Sequence, residues 1–314
     1  MKICVFEWES VCGTEISPES LSRFGELALY GKPDPDEVER LVGDAEIVIC
    51  SKVPFPRERL LRLPSLRYIG LTATGYNNVD VAAARELGIT VTNIPDYSAA
   101  AVTQMTMAYI LQFATNLIRY DASVQAGEWQ SSPLFCHMPH PLFEVEGKTL
   151  GLFGLGSIGS RVARAAEALG MRVIYHARSK KDVPYEFVSL ETLLKESDIL
   201  SLHAPLTAET DQLICAETLS QMKKGAYLVN TARGGLICEE AVADALKSGA
   251  LAGYASDVLT VEPQRADCPL IGVRGCILTP HVAWAPLETR QRLWDILEGN
   301  LDAFLAGKPR NCVS

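Results

Sequence analysis

Basic residues are in short supply in this 314-residue sequence: 29 Lys and Arg stand against 38 Asp and Glu, which gives a formal net charge of −9. Proteins that bind nucleic acid or an acidic membrane surface usually present a basic face, so the composition argues against both kinds of partner. The sequence also lacks a run of about 20 apolar residues, the length that crosses a bilayer. The nine cysteines are scattered and include no C-x-x-C pair. We therefore expect reduced, mostly buried thiols in a cytoplasmic protein.

The sequence does contain an alternation of short apolar runs and helical patterns, which is typical of parallel α/β architecture. In the first part of the chain we predict strands at Ile3–Phe6, Glu46–Cys50, Tyr68–Leu71 and Thr90–Asn93. A single long helix is expected from Ala99 to Tyr120, and its aliphatic and Met content suits either a core or a subunit interface. The later part contains six further strand candidates, the number in a full doubly wound nucleotide domain. They are Thr149–Phe153, Arg172–Ala177, Ile199–His203, Ala226–Asn230, Gly253–Val258 and Cys276–Thr279.

One of these strands meets a helix through a G-x-G-x-x-G turn. Gly154 permits the tight turn, Gly156 lets the backbone approach a pyrophosphate, and Gly159 lets the helix pack closely on the strand. The turn, which includes Ser157 and Ile158, opens into a helical sequence over residues 161–170. The free N–H groups and the positive dipole end at the start of this helix would face the phosphates. In this strand–turn–helix context we interpret the motif as a dinucleotide-binding site. A purely structural glycine turn is the alternative.

The end of the next strand lacks the Asp or Glu that accepts hydrogen bonds from the adenosine ribose in an NAD site. Ala177 stands there instead and is followed by Arg178, Ser179, Lys180 and Lys181. A 2′-phosphate is a dianion that an Asp would repel and that an Arg with a Ser can bind. We therefore favour NADP over NAD as the cofactor. In the alternative interpretation the cations are solvated loop charges beside an adenine, and NAD is bound.

Three polar signals follow the later strands, and ligands bind at the carboxyl ends of strands in open α/β sheets. Arg233 is followed by Gly234 and Gly235. An arginine held by such a glycine turn can bind a carboxylate through two N–H donors and polarise a neighbouring carbonyl. Asp257 is followed by Glu262, and His281 comes just after the last strand. Glu262 paired with His281 would stabilise the imidazolium and keep an acid available near neutral pH. An isolated His at a strand end is usually only a satisfied polar residue, but the three signals in this order predict a catalytic group.

Taken together, the motifs resemble those of the D-isomer-specific 2-hydroxyacid dehydrogenases over nearly the whole chain. The matching segments are 73–80, the glycine turn, 230–235, Asp257 with 262–263, and 280–281. Within that family the sequence is most similar to the glycerate dehydrogenase, or hydroxypyruvate reductase, branch. The features that support the branch are segments 51–54, 73–78, 125–129 and 281–285.

The resemblance implies a role for each matching residue. Arg233 would bind the substrate carboxylate and carbonyl. His281 would be the general acid in carbonyl reduction and the base in alcohol oxidation, with Glu262 as its partner. Backbone N–H groups around Thr74 and Gly75 would hold the carboxylate. The cofactor would be contacted by Asp257 near the nicotinamide and by His203, Ala204, Pro205, Thr231 and Ala232.

Three further signals have more than one interpretation. Lys52 either attracts the substrate carboxylate or is a surface lysine. Residues 7–10, Glu-Trp-Glu-Ser, are not typical of glycerate dehydrogenases and are candidates for the substrate side, which leaves the preferred side chain undefined. Cys136, His137 and His140 are spaced like metal ligands, but no fourth ligand is evident and the stretch is a proline-rich connection, so no metal is predicted. His140 and Met138 are instead candidates to reach the active-site mouth of a neighbouring subunit.

The sequence thus predicts two Rossmann-like, doubly wound parallel-sheet domains with a cleft between them. Residues 1–99 with 286–314, including a C-terminal helix over Leu287–Leu305, are the predicted substrate domain, and residues 100–285 the dinucleotide-binding domain. The predicted reaction is NAD(P)H-dependent reduction of a small 2-oxo acid, hydroxypyruvate or glyoxylate, to D-glycerate or glycolate by a homodimer. Two alternatives stay open: the same chemistry on another 2-oxo acid or phosphoglycerate, and a nucleotide-sensing, co-repressor-like protein that need not keep the catalytic residues.

Overall fold

The computed structural model describes every residue from Met1 to Ser314. Its contacts divide the chain into two compact units, one of Met1–Ser98 with Trp284–Ser314 and one of Ala99–Ala283. Each unit contains one sheet, and all pairings between the strands are parallel. The predicted α/β class with two parallel sheets is therefore confirmed. None of the helices combines the length and the apolarity needed to cross a bilayer.

The first unit has a five-stranded sheet with the strand order β2-β1-β3-β4-β5. The strands are β1 (Lys2–Phe6), β2 (Glu26–Tyr30), β3 (Ile47–Cys50), β4 (Tyr68–Leu71) and β5 (Thr90–Thr92). The central strands β3 and β4 are buried throughout, which explains their continuous apolar sequence. The strand that the sequence does not predict is β2. It is an edge strand of half-exposed residues, so the apolar run of a buried strand is missing.

Helices cover both faces of this sheet. Four are short: α1 (Trp8–Cys12), α2 (Val38–Val42), α3 (Arg57–Leu61) and α4 (Val81–Glu86). The long C-terminal helix, α11 in chain order, spans Leu287–Leu305, as the three- and four-residue spacing of its apolar residues predicts. It buries Leu293, Trp294, Leu297 and Leu301 in one core cluster with residues of β1, β3 and β4. The C-terminal segment therefore completes the core of the first unit.

The second unit has a seven-stranded sheet with the order β12-β11-β10-β9-β6-β7-β8. Its strands are β6 (Thr149–Phe153), β7 (Arg172–His176), β8 (Glu186–Phe187), β9 (Ile199–Leu202), β10 (Ala226–Asn230), β11 (Leu251–Ser256) and β12 (Cys276–Leu278). All six predicted strands are present. The unpredicted β8 is a two-residue, exposed edge strand. The chain runs outward from β6 to β8 and then returns to β9 beside β6, so the order reverses between β6 and β9, the point where doubly wound sheets bind ligands.

The helices of the second unit correct one prediction. They are α5 (Ala99–Thr115), α6 (Leu117–Gln125), α7 (Ser157–Ala168), α8 (Leu190–Glu196), α9 (Ala216–Gln221) and α10 (Glu239–Ser248). The single helix expected from Ala99 to Tyr120 is in fact α5 and α6, separated at Asn116. Asn116 adopts the left-handed conformation, with φ 48° and ψ 33°, which ends α5, and its side-chain amide donates to the carbonyl of Pro141 at 2.8 Å. Asn is one of the few residues that adopt this conformation readily.

Candidate active site

The glycine turn lies between β6 and α7, at the reversal of the strand order. Gly154 has φ 99°, and a side chain there would come within 2.7 Å of the carbonyl oxygen of His203. A side chain at Gly159 would come within 2.4 Å of the carbonyl oxygen of Gly154. Gly156 caps α7 without a side-chain hydrogen bond and faces open space. The first N–H groups of this 12-residue helix, at Ser157 and Ile158, are therefore uncapped, an arrangement that fits a dinucleotide pyrophosphate.

The loop after β9 forms a wall beside this turn and carries His203, Ala204 and Pro205. The N–H of His203 donates to the carbonyl of Phe153 at 2.8 Å, and its Nε2 lies 2.9 Å from Oγ of Ser201. Burial lowers the pKa of His203 to about 4, so the ring is neutral near pH 7. The histidine therefore shapes this wall without adding a positive charge to it.

A basic loop follows β7. Arg178, Ser179 and Lys180 are exposed. The N–H of Lys181 donates to the hydroxyl of Tyr175 at 2.7 Å, and that hydroxyl donates to the carbonyl of Lys181 at 3.3 Å. These bonds fold the loop back onto β7. The carboxyl end of the strand is therefore followed by three cations and one hydroxyl, and residues 177–181 contain no carboxylate.

Arg233 lies in the turn after β10, and Asn230 braces this turn. Asn230 is fully buried; its Nδ2 donates to the carbonyl of Arg233 at 2.8 Å, and its Oδ1 accepts from the N–H of Ala232 at 3.0 Å. The neighbouring hydroxyls of Thr231 and Thr106 are 3.0 Å apart, which ties the turn to α5. Arg233 itself is exposed, and Nη1 donates to the carbonyl of Ala232 at 2.7 Å. Its other N–H donors remain free for an anion.

Gly234 brings the Arg233 turn against the loop that leads to Glu262. A side chain at Gly234 would lie 2.0 Å from the carbonyl carbon of Leu259, so only glycine permits this approach. The N–H of Leu259 in turn donates to Oε1 of Glu262 at 3.0 Å. One short chain of contacts therefore connects the arginine turn with the acidic residue.

The second carboxylate oxygen of Glu262 binds His281. Nδ1 of the histidine lies 2.6 Å from Oε2 of Glu262, and both side chains are about one-third exposed, at 33% and 35%. His281 adopts the left-handed conformation with φ 56°. Because Nδ1 is engaged, Nε2 is left for a ligand, and an imidazole in this arrangement can donate or accept a proton.

Asp257 holds the backbone of the two residues that follow His281. It is 2% exposed, and its carboxylate accepts from the N–H groups of Val282 at 2.9 Å and Ala283 at 2.7 Å and from the hydroxyl of Thr279. The hydroxyl of Tyr109 lies 2.5 Å from that of Thr279 and extends the network into α5. Three donors from 279–283 therefore occupy this carboxylate, and a contact of Asp257 with the nicotinamide stays a prediction.

Sequence reasoning noted the glycines after Arg233 but gave no role to three other residues of this arrangement: Asn230, Tyr109 and Thr279. Asn230 and Gly234 belong to the segment that carried the resemblance, so an amide and a glycine flanking an arginine after a strand are a usable signal. Tyr109 and Thr279 lie 170 residues apart in the chain, and no local pattern indicates their contact.

The predicted substrate-binding residues of the first unit lie after neighbouring strands. Lys52 follows β3 and is exposed, while Thr74 and Gly75 follow β4. The hydroxyl of Thr74 donates to the carbonyl of Ile94 at 2.7 Å, and the carbonyl of Thr74 accepts from Nδ2 of Asn93 at 2.7 Å. Both the side-chain hydroxyl and the backbone carbonyl of Thr74 are therefore hydrogen-bonded, which fixes the loop that carries the proposed carboxylate ligands.

The histidines and the cysteine after α6 lie in an irregular stretch. Nε2 of His137 is 3.5 Å from Oε2 of Glu128, and the ring of His140 packs edge-on against Tyr120 with 5.5 Å between centroids. The carbonyl of Cys136 accepts from the hydroxyl of Ser132 at 3.0 Å. No three His, Cys, Asp or Glu side chains of the chain gather in a way that would hold a metal ion.

Comparison with known proteins defines the class. Residues 107–283 match the NAD binding domain of the D-isomer specific 2-hydroxyacid dehydrogenases. The hydroxypyruvate reductase of Blautia hydrogenotrophica is 40% identical over 100% of both chains, and the glycerate dehydrogenase of Methylorubrum extorquens is 43% identical over 89% of this chain and 88% of its own. Among solved structures, an acyclic imino acid reductase in complex with NADPH and D-Arg aligns with a TM-score of 0.87 at 30% identity over 100% of both chains.

The protein is thus an oxidoreductase with a domain for a nicotinamide dinucleotide. More narrowly, the chain belongs to the D-isomer specific 2-hydroxyacid dehydrogenase family, which confirms the resemblance seen in the sequence.

Proposed function

We propose that this enzyme reduces a small 2-oxo acid, hydroxypyruvate or glyoxylate, to D-glycerate or glycolate with NAD(P)H, reversibly. The observation that carries the proposal is the 2.6 Å contact between Nδ1 of His281 and Oε2 of Glu262, in the unit that also contains Arg233. The names of two similar proteins, hydroxypyruvate reductase and glycerate dehydrogenase, support this substrate class.

In this mechanism the nicotinamide, when bound, supplies or accepts the hydride. Arg233 binds the substrate carboxylate through its free N–H donors and polarises the carbonyl oxygen. His281 donates a proton from Nε2 to that oxygen during reduction and takes the proton back during alcohol oxidation. Glu262 fixes the orientation of the ring through Nδ1 and offsets the positive charge of the imidazolium.

The remaining proposed contacts divide between substrate and cofactor. The N–H groups of Thr74 and Gly75 and the ammonium of Lys52 are proposed to bind the substrate carboxylate. The uncapped start of α7 is proposed to bind the pyrophosphate. Further proposed cofactor contacts come from His203, Ala204, Pro205, Thr231, Ala232 and Asp257.

We propose NADP as the preferred cofactor. Arg178 and Ser179 are exposed at the end of β7, two lysines follow them, and no acidic residue is present between residues 177 and 181. A guanidinium and a hydroxyl can bind the 2′-phosphate, and a ribose-binding carboxylate that would repel it is missing. The NADPH in the acyclic imino acid reductase structure supports the compatibility of this fold with NADP.

Steady-state kinetics test the substrate and the cofactor together. We expect turnover of hydroxypyruvate and glyoxylate with a higher kcat/KM for NADPH than for NADH. Arg178→Ala should lower kcat/KM for NADPH by about 10- to 100-fold, the effect of one lost charged hydrogen bond, and leave that for NADH nearly unchanged. Lys195→Ala, which removes an exposed cation paired with Glu191, is the control. A wild-type preference for NADH would contradict the cofactor proposal, and no turnover of either acid would contradict the substrate proposal.

We propose that the chain forms a homodimer through an apolar surface of the second unit. Phe135 is 91% exposed, and seven other large apolar side chains near it in the chain are also exposed. They are Leu117, Ile118, Val124, Trp129, Leu134, Met138 and Leu142. Apolar patches on a monomer of this kind usually mark an interface.

Light scattering tests the dimer. The wild type should have twice the chain mass of 34.2 kDa. A double variant, Leu134→Ser with Phe135→Ser, should shift the protein toward the single-chain mass because it removes the apolar contact. Leu61→Ser, at an exposed leucine of the first unit, should stay dimeric. A wild type at the single-chain mass would refute the proposed assembly.

We also propose a cytoplasmic location, supported by the state of the cysteines. All nine are free. Burial raises the pKa of Cys4 and Cys12 to about 12, so both remain unreactive thiols at neutral pH. This usage suits a reducing compartment.

A further inference from the structure

Glu7 has an unusual backbone conformation at a strand end. It follows β1 directly, with φ 57° and ψ 23°, a region that costs a residue with a side chain roughly 1–2 kcal/mol. Its N–H donates to the carbonyls of Tyr30 at 3.1 Å and Gly31 at 3.3 Å, and its carbonyl accepts from the hydroxyl of Ser10 at 2.7 Å. The surroundings therefore hold an unfavourable conformation in place, as is common at functional sites.

The carboxylate of Glu7 binds the neighbouring strand end. Oε2 accepts from the N–H of Lys52 at 2.7 Å and from that of Ser51 at 3.1 Å, while Oε1 makes no hydrogen bond within the chain. Successive backbone N–H groups of this kind form a hollow that binds anions. The charge of Glu7 also adds to the effect of burial in raising the pKa of Cys50, the last residue of β3. A fixed negative charge therefore occupies the hollow after β3.

The strand order places this charge beside the proposed substrate ligands. In the sheet β1 is next to β3, and β3 is next to β4. Neighbouring strands are about 5 Å apart, so the end of β1 is about 10 Å from the end of β4, which leads to Thr74 and Gly75. A 2-oxo acid whose carboxylate binds that loop extends its third carbon only a few ångströms further. Because Glu7 is half-buried, its charge is screened less than a charge in water.

We propose that Glu7 is a specificity-determining residue that disfavours 2-oxo acids with a second anionic group. The inference rests on the proposed function, because it takes Lys52, Thr74 and Gly75 as substrate ligands. A second phosphate or carboxylate near the third carbon is repelled by Glu7, whereas the hydroxymethyl group of hydroxypyruvate or the hydrogen of glyoxylate is not. The site therefore selects monoanionic 2-oxo acids, which argues against the phosphoglycerate alternative.

The test compares hydroxypyruvate with 3-phosphohydroxypyruvate, which differs from it by one phosphate. Glu7→Gln keeps a side-chain oxygen for the N–H groups of Ser51 and Lys52 but removes the charge. We expect the ratio of kcat/KM for the phosphorylated acid to that for hydroxypyruvate to rise about fivefold at low salt, mainly through KM. The gain should shrink as ionic strength rises, since salt screens the repulsion, and a purely structural role would show no such dependence.

Two variants serve as controls. Glu7→Asp keeps the charge and should keep the wild-type ratio. Glu26→Gln removes an equal charge from an exposed residue at the amino end of β2, the opposite end of the sheet from Glu7, and should change the ratio less than twofold. An unchanged ratio in Glu7→Gln, or equal losses for both acids with a lower melting temperature, would overturn the inference. So would a wild type that prefers the phosphorylated acid. A wild type that reduces neither acid would instead overturn the proposed function, and this inference with it.

Discussion

Replacing His281 with Asn is expected to lower kcat for hydroxypyruvate reduction by about 10³-fold, the usual contribution of a positioned general acid. The variant removes the Nε2 proton donor, while the oxygen of Glu262 that contacts Nδ1 at 2.6 Å stays in place. Asn is the suitable replacement because His281 has φ 56°, which Asn adopts more readily than Ala does. Any loss therefore reports on the proton and not on a disturbed backbone. Stopped-flow measurement of the hydride-transfer step checks that chemistry is slowed.

Two measurements keep this result interpretable. NADPH binding, followed by the fluorescence of the reduced nicotinamide, should be unchanged because His281 lies on a different loop from the glycine turn. His137→Asn, the same substitution in the irregular stretch after α6, should retain kcat within about twofold, as is usual away from a site. If His281→Asn loses less than tenfold in kcat, the proton donor is another group.

For Arg233→Lys we expect kcat/KM for hydroxypyruvate to fall by about 10²- to 10³-fold, with KM raised as well as kcat lowered. Lysine keeps the positive charge but cannot present two parallel N–H donors to a carboxylate. The backbone of the turn is held by Asn230, which contacts the carbonyl of Arg233 and the N–H of Ala232, so the turn should survive the substitution. Steady-state kinetics with hydroxypyruvate and with glyoxylate measure both parameters.

The matched control for this variant is Arg265→Lys, in the same unit. Arg265 is exposed and paired with Asp267, so its replacement should leave kcat/KM within about twofold. A fall in kcat/KM for Arg233→Lys that is no larger than that of the control would remove Arg233 from the substrate site. A rise in KM with kcat unchanged would restrict its role to binding.

The parts of this site that the sequence predicts are those determined by short-range patterns. A parallel strand that is buried on both faces has a continuous apolar sequence. A polar residue directly after such a run can therefore be recognised as a residue at the carboxyl end of a strand, where ligands bind. Arg233 and His281 were recognisable for this reason, and the glycine turn because its spacing is characteristic. The arrangement of these residues in space, however, depends on contacts between distant segments. The approach of Gly234 to Leu259 and the three donors on Asp257 belong to this class, which no local pattern encodes.

The missed elements of the fold have a related explanation. Both unpredicted strands are edge strands: β2 is mostly half-exposed, and β8 is exposed and has only two residues. The break at Asn116 interrupts a sequence whose apolar content continues on both sides. A single residue in the left-handed conformation ends α5 there, and composition over a window of many residues does not detect it.

The contact of Gly234 with Leu259 bears on how this enzyme can be re-engineered. Any side chain at position 234 would displace the turn of Arg233 and the loop of Glu262 simultaneously, so mutations in these two loops are expected to be coupled rather than additive. A library that seeks a new substrate should therefore leave the Arg233 turn and the Glu262 loop unchanged. Diversity belongs instead at Glu7, Lys52 and their neighbours in the first unit, the residues that we propose to contact the substrate, because they are separate in the chain from both loops.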